Sequence, residues 1–225
     1  MGVLDEETRV KHRTTDPADA GAGHEADGVP ELLLKAHDAL RGATHLITAQ
    51  ETPEAERKFA AFTKNLAALL TEVEDITSTI SADPLDEADR RSSLMALYVR
   101  GDAGRIAVLI EQVGDIASGR GTQSLAGPLT GPVRELGEAC VNLMAQAHDV
   151  LRVPGPLTML NQGLADVTAR QRRLSRSLLT GSLACSTRDA VDAAVLGRCY
   201  EECAWRAVAL AGVGLQARAP AVGAH

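Results

Sequence analysis

Apolar residues recur at alternating steps of three and four along most of this chain, the spacing of helices that bury one face. The first series is Leu33, Ala36, Leu40, Ala43 and Ile47. A second runs Phe59, Phe62, Leu66, Leu69, Val73, Ile76 and Ile80, unbroken over about three heptads. The third predicted helix, Leu85 to about Ser118, is apolar on more than one face: Leu94, Leu97 and Val108 on one, Met95, Val99, Ile106 and Val113 elsewhere. That is the pattern of a helix with neighbours on two sides. A fourth seam is Leu136, Cys140, Leu143, Ala147 and Val150, and a fifth is Leu157, Leu160, Leu164, Val167, Leu174 and Leu178. The last helix, Asp189–Leu215, has no proline. Its stripe reads Val191, Ala194, Arg198, Glu201, Trp205, Val208, Gly212 and Leu215, apolar at both ends with a polar knot in the middle. On that stripe Trp205, the only tryptophan, reads as a core filler.

Punctuation separates these segments. Pro30, Pro53 (after Thr52, before Glu54), Pro84 (after Asp83) and Pro132 each stand where a helix can open on proline. Val153-Pro154-Gly155-Pro156 turns into the fifth helix, Gly181 ends it, and Ser186-Thr187-Arg188-Asp189 caps the sixth. The spacing from Pro30 to Pro132 is 102 residues, from Pro53 to Pro156 it is 103, and from Pro84 to Ser186 it is 102. A near-constant offset is an internal repeat. The expected fold is therefore all-α: two tandem three-helix bundles, six long helices packed antiparallel. The expected organisation is a disordered arm over 1–28, a first bundle over 29–118, a linker over 119–131, a second bundle over 132–217 and a flexible tail over 218–225.

Composition agrees with helices: 45% of the 225 residues are apolar but only 2% are aromatic. The net charge of −7 and the lack of a basic patch argue against nucleic-acid binding. Met1 is followed by GVLDEETRVKHR, which lacks an apolar signal core, and no run is long enough to span a bilayer. A soluble, cytoplasmic protein without membrane insertion is expected. The four cysteines, Cys140, Cys185, Cys199 and Cys203, read as reduced thiols acting as small hydrophobes, although Cys199 and Cys203 have the spacing to share a zinc. His37 and His45 read as surface histidines. His148-Asp149 makes a dyad only if a nucleophile joins it. Arg170, Arg172, Arg173 and Arg176 form the basic cluster, a solvated face or a partner for Glu201 and Glu202.

Within the sixth helix the run Gly197-Arg198-Cys199-Tyr200-Glu201-Glu202-Cys203-Ala204-Trp205-Arg206-Ala207-Val208 resembles the GRYxERxADHAV motif of the PhoU family of phosphate-signalling regulators. Asp83-Pro84, Asp89-Arg90, Ala96-Leu97, Asp102 and Arg105-Ile106 resemble the first-repeat version, and Leu136-Gly137 with Leu143-Met144-Ala145 resembles the start of the family's fourth helix. The likeness covers roughly residues 30–215. It implies a non-enzymatic homodimeric adaptor whose protein partners are a sensor histidine kinase and a phosphate ABC transporter. The family's E-x-x-x-D pairs bind divalent metals, since carboxylates one helical turn apart share a face. Here Trp205 follows Glu201 in the second repeat, and Gly104 and Val108 take the ligand positions in the first. No catalytic residue, cofactor or metal is therefore expected. Glu111-Gln112-Val113-Gly114-Asp115 reproduces the pair one heptad later, so the alternative is a divalent transition metal at Glu111, Asp115 and Glu201, in a metal-binding bundle or enzyme. A structural scaffold with an unrelated partner is the third reading.

Overall fold

A computed structural model describes residues 17–48, 53–78, 87–120, 123, 125–153 and 156–218. Six helices account for nearly all of them: α1 Pro17–Thr48, α2 Pro53–Ser78, α3 Glu87–Arg120, α4 Gly127–Arg152, α5 Thr158–Leu179 and α6 Thr187–Arg218. Among the described residues there is no strand, and no helix is long and apolar enough to cross a membrane. The all-α bundle read from the periodicity is the fold.

The seams explain the packing. Leu33, Ala36, Leu40, Ala43 and Ile47 of α1 are all buried, as are Leu136, Cys140, Leu143, Ala147 and Val150 of α4. On α2 the seam is held by Phe62 and Leu69, with Leu66 and Val73 packed against them. Phe59 and Ile76 lie where side chains are not described, and Ile80 lies outside the described residues. On α5 Leu160, Val167 and Leu174 are buried while Leu157 is exposed.

Within each set of three the chain runs up, down and up. Gly42 meets Phe62 and Lys35 pairs with Glu72 across α1 and α2; Gly163 meets Leu143 and Arg170 pairs with Glu135 across α4 and α5. The sets are joined through α1, α3, α4 and α6, with α2 and α5 on the outside. One apolar core runs through all six helices.

Two helix starts differ from the proline rule. α1 begins at Pro17, which places Pro30 inside the helix and residues 17–28 in helix rather than in a disordered arm; residues 1–16 lie outside the described residues. Likewise α4 begins at Gly127 with Pro132 inside, while α3 continues to Arg120, so residues 119–120 and 127–131 of the expected linker are helical. The reason is local. Pro128 already supplies a first-turn proline, and buried Leu125 and Leu129 fix the chain's approach to the core. A later proline then removes one backbone hydrogen bond and crowds the carbonyl four residues back, and the buried contacts of the flanking turns keep it helical.

The other termini follow the sequence. Gly181, at φ 62°, ends α5: its N–H reaches Leu178 O at 3.2 Å and the Ser182 N–H reaches Ser177 O at 3.1 Å, a Schellman motif. At the start of α6 the Ser186 hydroxyl accepts the Asp189 N–H at 3.1 Å and donates to the Asp189 carboxylate at 2.7 Å.

Candidate functional site

The motif helices α3 and α6 lie side by side and antiparallel. Asp102 meets Arg206 and Arg105 meets Glu202 in mid-helix, one turn apart, and Arg120 meets Asp189 and Asp192 at one end. Their buried faces are seams of small and aliphatic residues. On α3 Val99, Ala103, Ile106, Ile110 and Val113 are buried; on α6 Leu196, Tyr200, Cys203, Ala207 and Leu210 are. The two series superpose at a constant displacement along the chain, Val99 onto Leu196 through Val113 onto Leu210. That displacement carries Gly104 onto Glu201 and Val108 onto Trp205. A displacement one heptad shorter, Ile106 onto Leu196 through Val113 onto Cys203, also matches buried residues, so burial fits both the Gly104/Val108 and the Glu111/Asp115 registers.

The Val191–Trp205 part of the Val191–Leu215 stripe faces outward, while Val208 and Leu215 pack half-buried against the core. Val191 is 56% exposed and Trp205 62%, and Ala194 and Arg198 are also exposed. Trp205 is not a core filler. The physical reason is that the opposite stripe, Ala193, Leu196, Tyr200, Cys203, Ala207, Leu210 and Gly214, repeats at threes and fours without one charged residue. It can be desolvated without burying a charge, whereas the stripe with Arg198 and Glu201 cannot. On α3 the same rule leaves Leu94, Leu97 and Val108 exposed beside Tyr98, with Val99, Ile106 and Val113 inside.

Charges at the α3–α6 seam satisfy one another. Arg105 grips Glu202 with two hydrogen bonds, Nε to Oε1 at 2.9 Å and Nη2 to Oε2 at 3.2 Å. Arg206 adds Nη2 to Glu202 Oε1 at 3.0 Å and reaches Asp102 Oδ1 through Nη1 at 2.5 Å. The Arg105 hydrogen bond, helped by Arg206 and opposed by burial, holds the Glu202 carboxyl below its ordinary pKa. Glu202 thus pairs with α3 rather than with the α5 arginines. Of that cluster Arg170 pairs with Asp166 and Glu135, while Arg172, Arg173 and Arg176 are exposed.

Sequence reasoning missed Arg120. It lay beyond Gly119, in the supposed linker, yet its side chain is only 6% exposed and is held by Asp189 and Asp192 of α6. The Ser186 hydrogen bond, followed by Arg120, lowers the Asp189 pKa. A lone arginine beside Gly-Arg-Gly carried no periodic signal; its two carboxylates at positions i and i+3 of a capped helix start did.

Glu111 and Asp115 are exposed on α3 and Glu201 is half-buried on α6. Among the described residues no group of three or more His, Cys, Asp or Glu side chains is placed to hold a metal ion. Cys140, Cys199 and Cys203 are buried free thiols and Cys185 is half-buried. Burial pushes the Cys199 pKa up to about 11 and also raises those of Cys140 and Cys203. Such thiols are poor nucleophiles and poor metal ligands. Cys140 instead donates to Tyr200 O at 3.1 Å. His148 does meet its neighbour Asp149, at 3.0 Å, and His37 meets Asp38 at 3.1 Å; each is a local pair on one helix.

No family model, curated protein or solved structure matches this chain.

Proposed function

We propose that this chain is a non-enzymatic regulatory adaptor similar to the PhoU family, acting in phosphate sensing through contacts with a sensor kinase and a phosphate transporter. The observation that carries this reading is the placement of the motif positions. Gly104 and Val108, which the resemblance assigns to one repeat, and Glu201 and Trp205, which it assigns to the other, lie on the neighbouring helices α3 and α6. Where the resemblance calls for carboxylate pairs, the chain presents Val108 and Trp205, both exposed. A surface that coordinates cations in relatives has become one that contacts protein. The ionised groups beside it serve structure: Asp102, Arg105, Glu202 and Arg206 neutralise one another across the seam.

The test is affinity capture of the tagged chain from cells held at limiting phosphate. The reading expects components of the kinase or of the transporter in the eluate. Recovery of neither from phosphate-limited and phosphate-replete cells alike overturns it.

A further inference from the structure

From Val167 to Arg188 the chain holds five arginines and no carboxylate, although its net charge is −7. The second half of α5 and the turn into α6 are therefore a positive pole on an acidic protein. Arg172, Arg176 and Leu179 stand on one stripe of α5, at steps of four and three, with Arg173 on its flank and all four exposed. Leu179, at 88%, is the most exposed of the large apolar side chains described. Neighbouring arginines have carboxylates: Arg170 has Asp166 and Glu135, and Arg120 has Asp189 and Asp192. Among the described residues Arg172, Arg173 and Arg176 have none. The carbonyl end of α5 accounts for Arg176 alone, the cation in its last turn. Arg188, across the turn, donates through Nη2 to Gly119 O at 2.7 Å and stays exposed.

We infer that this end of α5 is a docking surface for an anionic lipid membrane, with Arg172, Arg173 and Arg176 on the lipid phosphates and Leu179 entering the headgroup layer. The shape of the face favours a bilayer over a smaller partner. The grooves on α5 lie on its α4 side, one by Glu135, Asp166 and Arg170 and one by Val150 and Met159, and none of the three arginines lines either. A small anion or an acidic peptide is held in a concave site. Arginines splayed on the outside of an outer helix suit instead a broad, diffuse sheet of negative charge. A leucine standing free among the cations adds little for a phosphate ion, whereas the interface of a bilayer takes up both. Such attraction grows with the number of cations at the surface and is screened by salt.

Sedimentation of the full chain with sucrose-loaded vesicles tests this. The chain is expected to pellet with vesicles of equal parts phosphatidylcholine and phosphatidylglycerol, to stay in solution with phosphatidylcholine alone, and to be released as salt rises. Arg172→Glu with Arg176→Glu weakens the retention by about tenfold or more, and Leu179→Ala weakens it by about fivefold. Arg91→Glu with Arg100→Glu, both exposed on α3 and equal in charge change, leaves it within about twofold. Every variant keeps the wild-type helicity, because each site is exposed. Equal retention on neutral and anionic vesicles overturns the proposal, as does an equal loss from the α3 pair or a Leu179→Ala chain retained like the wild type. Release by inorganic phosphate beyond that by chloride at the same ionic strength marks an anion pocket and overturns it. Arginine-dependent binding of a polyglutamate peptide by a chain that ignores both vesicles assigns the face to an acidic protein and overturns it too. The inference stands apart from the phosphate reading, whose contacts lie on α3 and α6. Membrane binding without a phosphate phenotype defeats that reading alone, and a phosphate phenotype in a chain that ignores vesicles defeats this one alone.

Discussion

Ser186 and Asp189 cap one another at the start of α6, and Arg120 closes the same corner from α3. Removing the hydroxyl with Ser186→Ala is expected to cost about 1 kcal/mol in urea unfolding. The pH dependence has a defined sign. Asp189 and Glu202 are held below their ordinary carboxyl values, so their contribution is present above the ordinary range and disappears as pH falls through the lowered values. The urea midpoint is therefore expected to drop below about pH 4, and to drop less in the Asp189→Asn, Glu202→Gln variant. A midpoint that falls equally in both excludes these two groups as the cause. Gly137 gives a second residue-scale test. A Cβ there would stand 2.6 Å from Thr44 Cγ2 and 3.1 Å from the Tyr200 ring. Thr44 is pinned by its own bond to Leu40 O at 2.8 Å, so the neighbour cannot yield easily. Alanine gains about 1 kcal/mol of helix propensity but overpacks by about 1–3 kcal/mol. Gly137→Ala is expected to lower the melting temperature; a rise means that α1 and α4 part freely.

At the scale of the element, α3 and α6 are joined by ion pairs in mid-helix and at one end, and the most buried of these is Arg120 with Asp189 and Asp192. Arg120→Met leaves two carboxylates without their cation, and the expected loss is about 3 kcal/mol. Adding Asp189→Asn and Asp192→Asn to that variant is expected to recover part of the loss in denaturant unfolding, because the penalty lies in the orphaned charges. A triple variant no more stable than the single one assigns the loss to packing instead. This scale also separates what could be read from sequence and what could not. The α1 and α4 seams were legible because each has one apolar stripe and no competitor. For α6 two stripes competed, and the decisive signal was the absence of charge on the Ala193–Gly214 series. The other stripe owed its apparent claim to tryptophan, a residue as useful on a contact surface as in a core. On α3, whose exposed Leu94, Leu97 and Tyr98 compete with its buried series, hydrophobicity alone did not rank the faces. Helix starts failed for a different reason. Both prolines fall inside longer helices, Pro30 in the fourth turn of α1 and Pro132 in the second turn of α4, so they marked helices without marking their ends.

For the whole molecule, length, periodicity and the repeat of about 102 residues between helix starts foretold an all-helical bundle, and the six helices follow it. The sharing of one core by α1, α3, α4 and α6 was not foretold, because a seam specifies that a face is buried but not which neighbour buries it. The candidate site was half legible. Its motif positions, Gly104, Val108, Glu201 and Trp205, were assigned from the resemblance alone. Their exposure, and the Asp102–Arg206 and Arg105–Glu202 pairs between them, required the geometry of two helices about 100 residues apart in the chain. The central claim, that this duplicated bundle relays phosphate status, is tested most directly by deleting its gene and measuring phosphate-responsive transcripts in high and low phosphate. The account predicts that the difference between the two conditions collapses in the deletion strain and returns with the wild-type chain but not with Trp205→Glu. An unchanged difference in the deletion strain would contradict it.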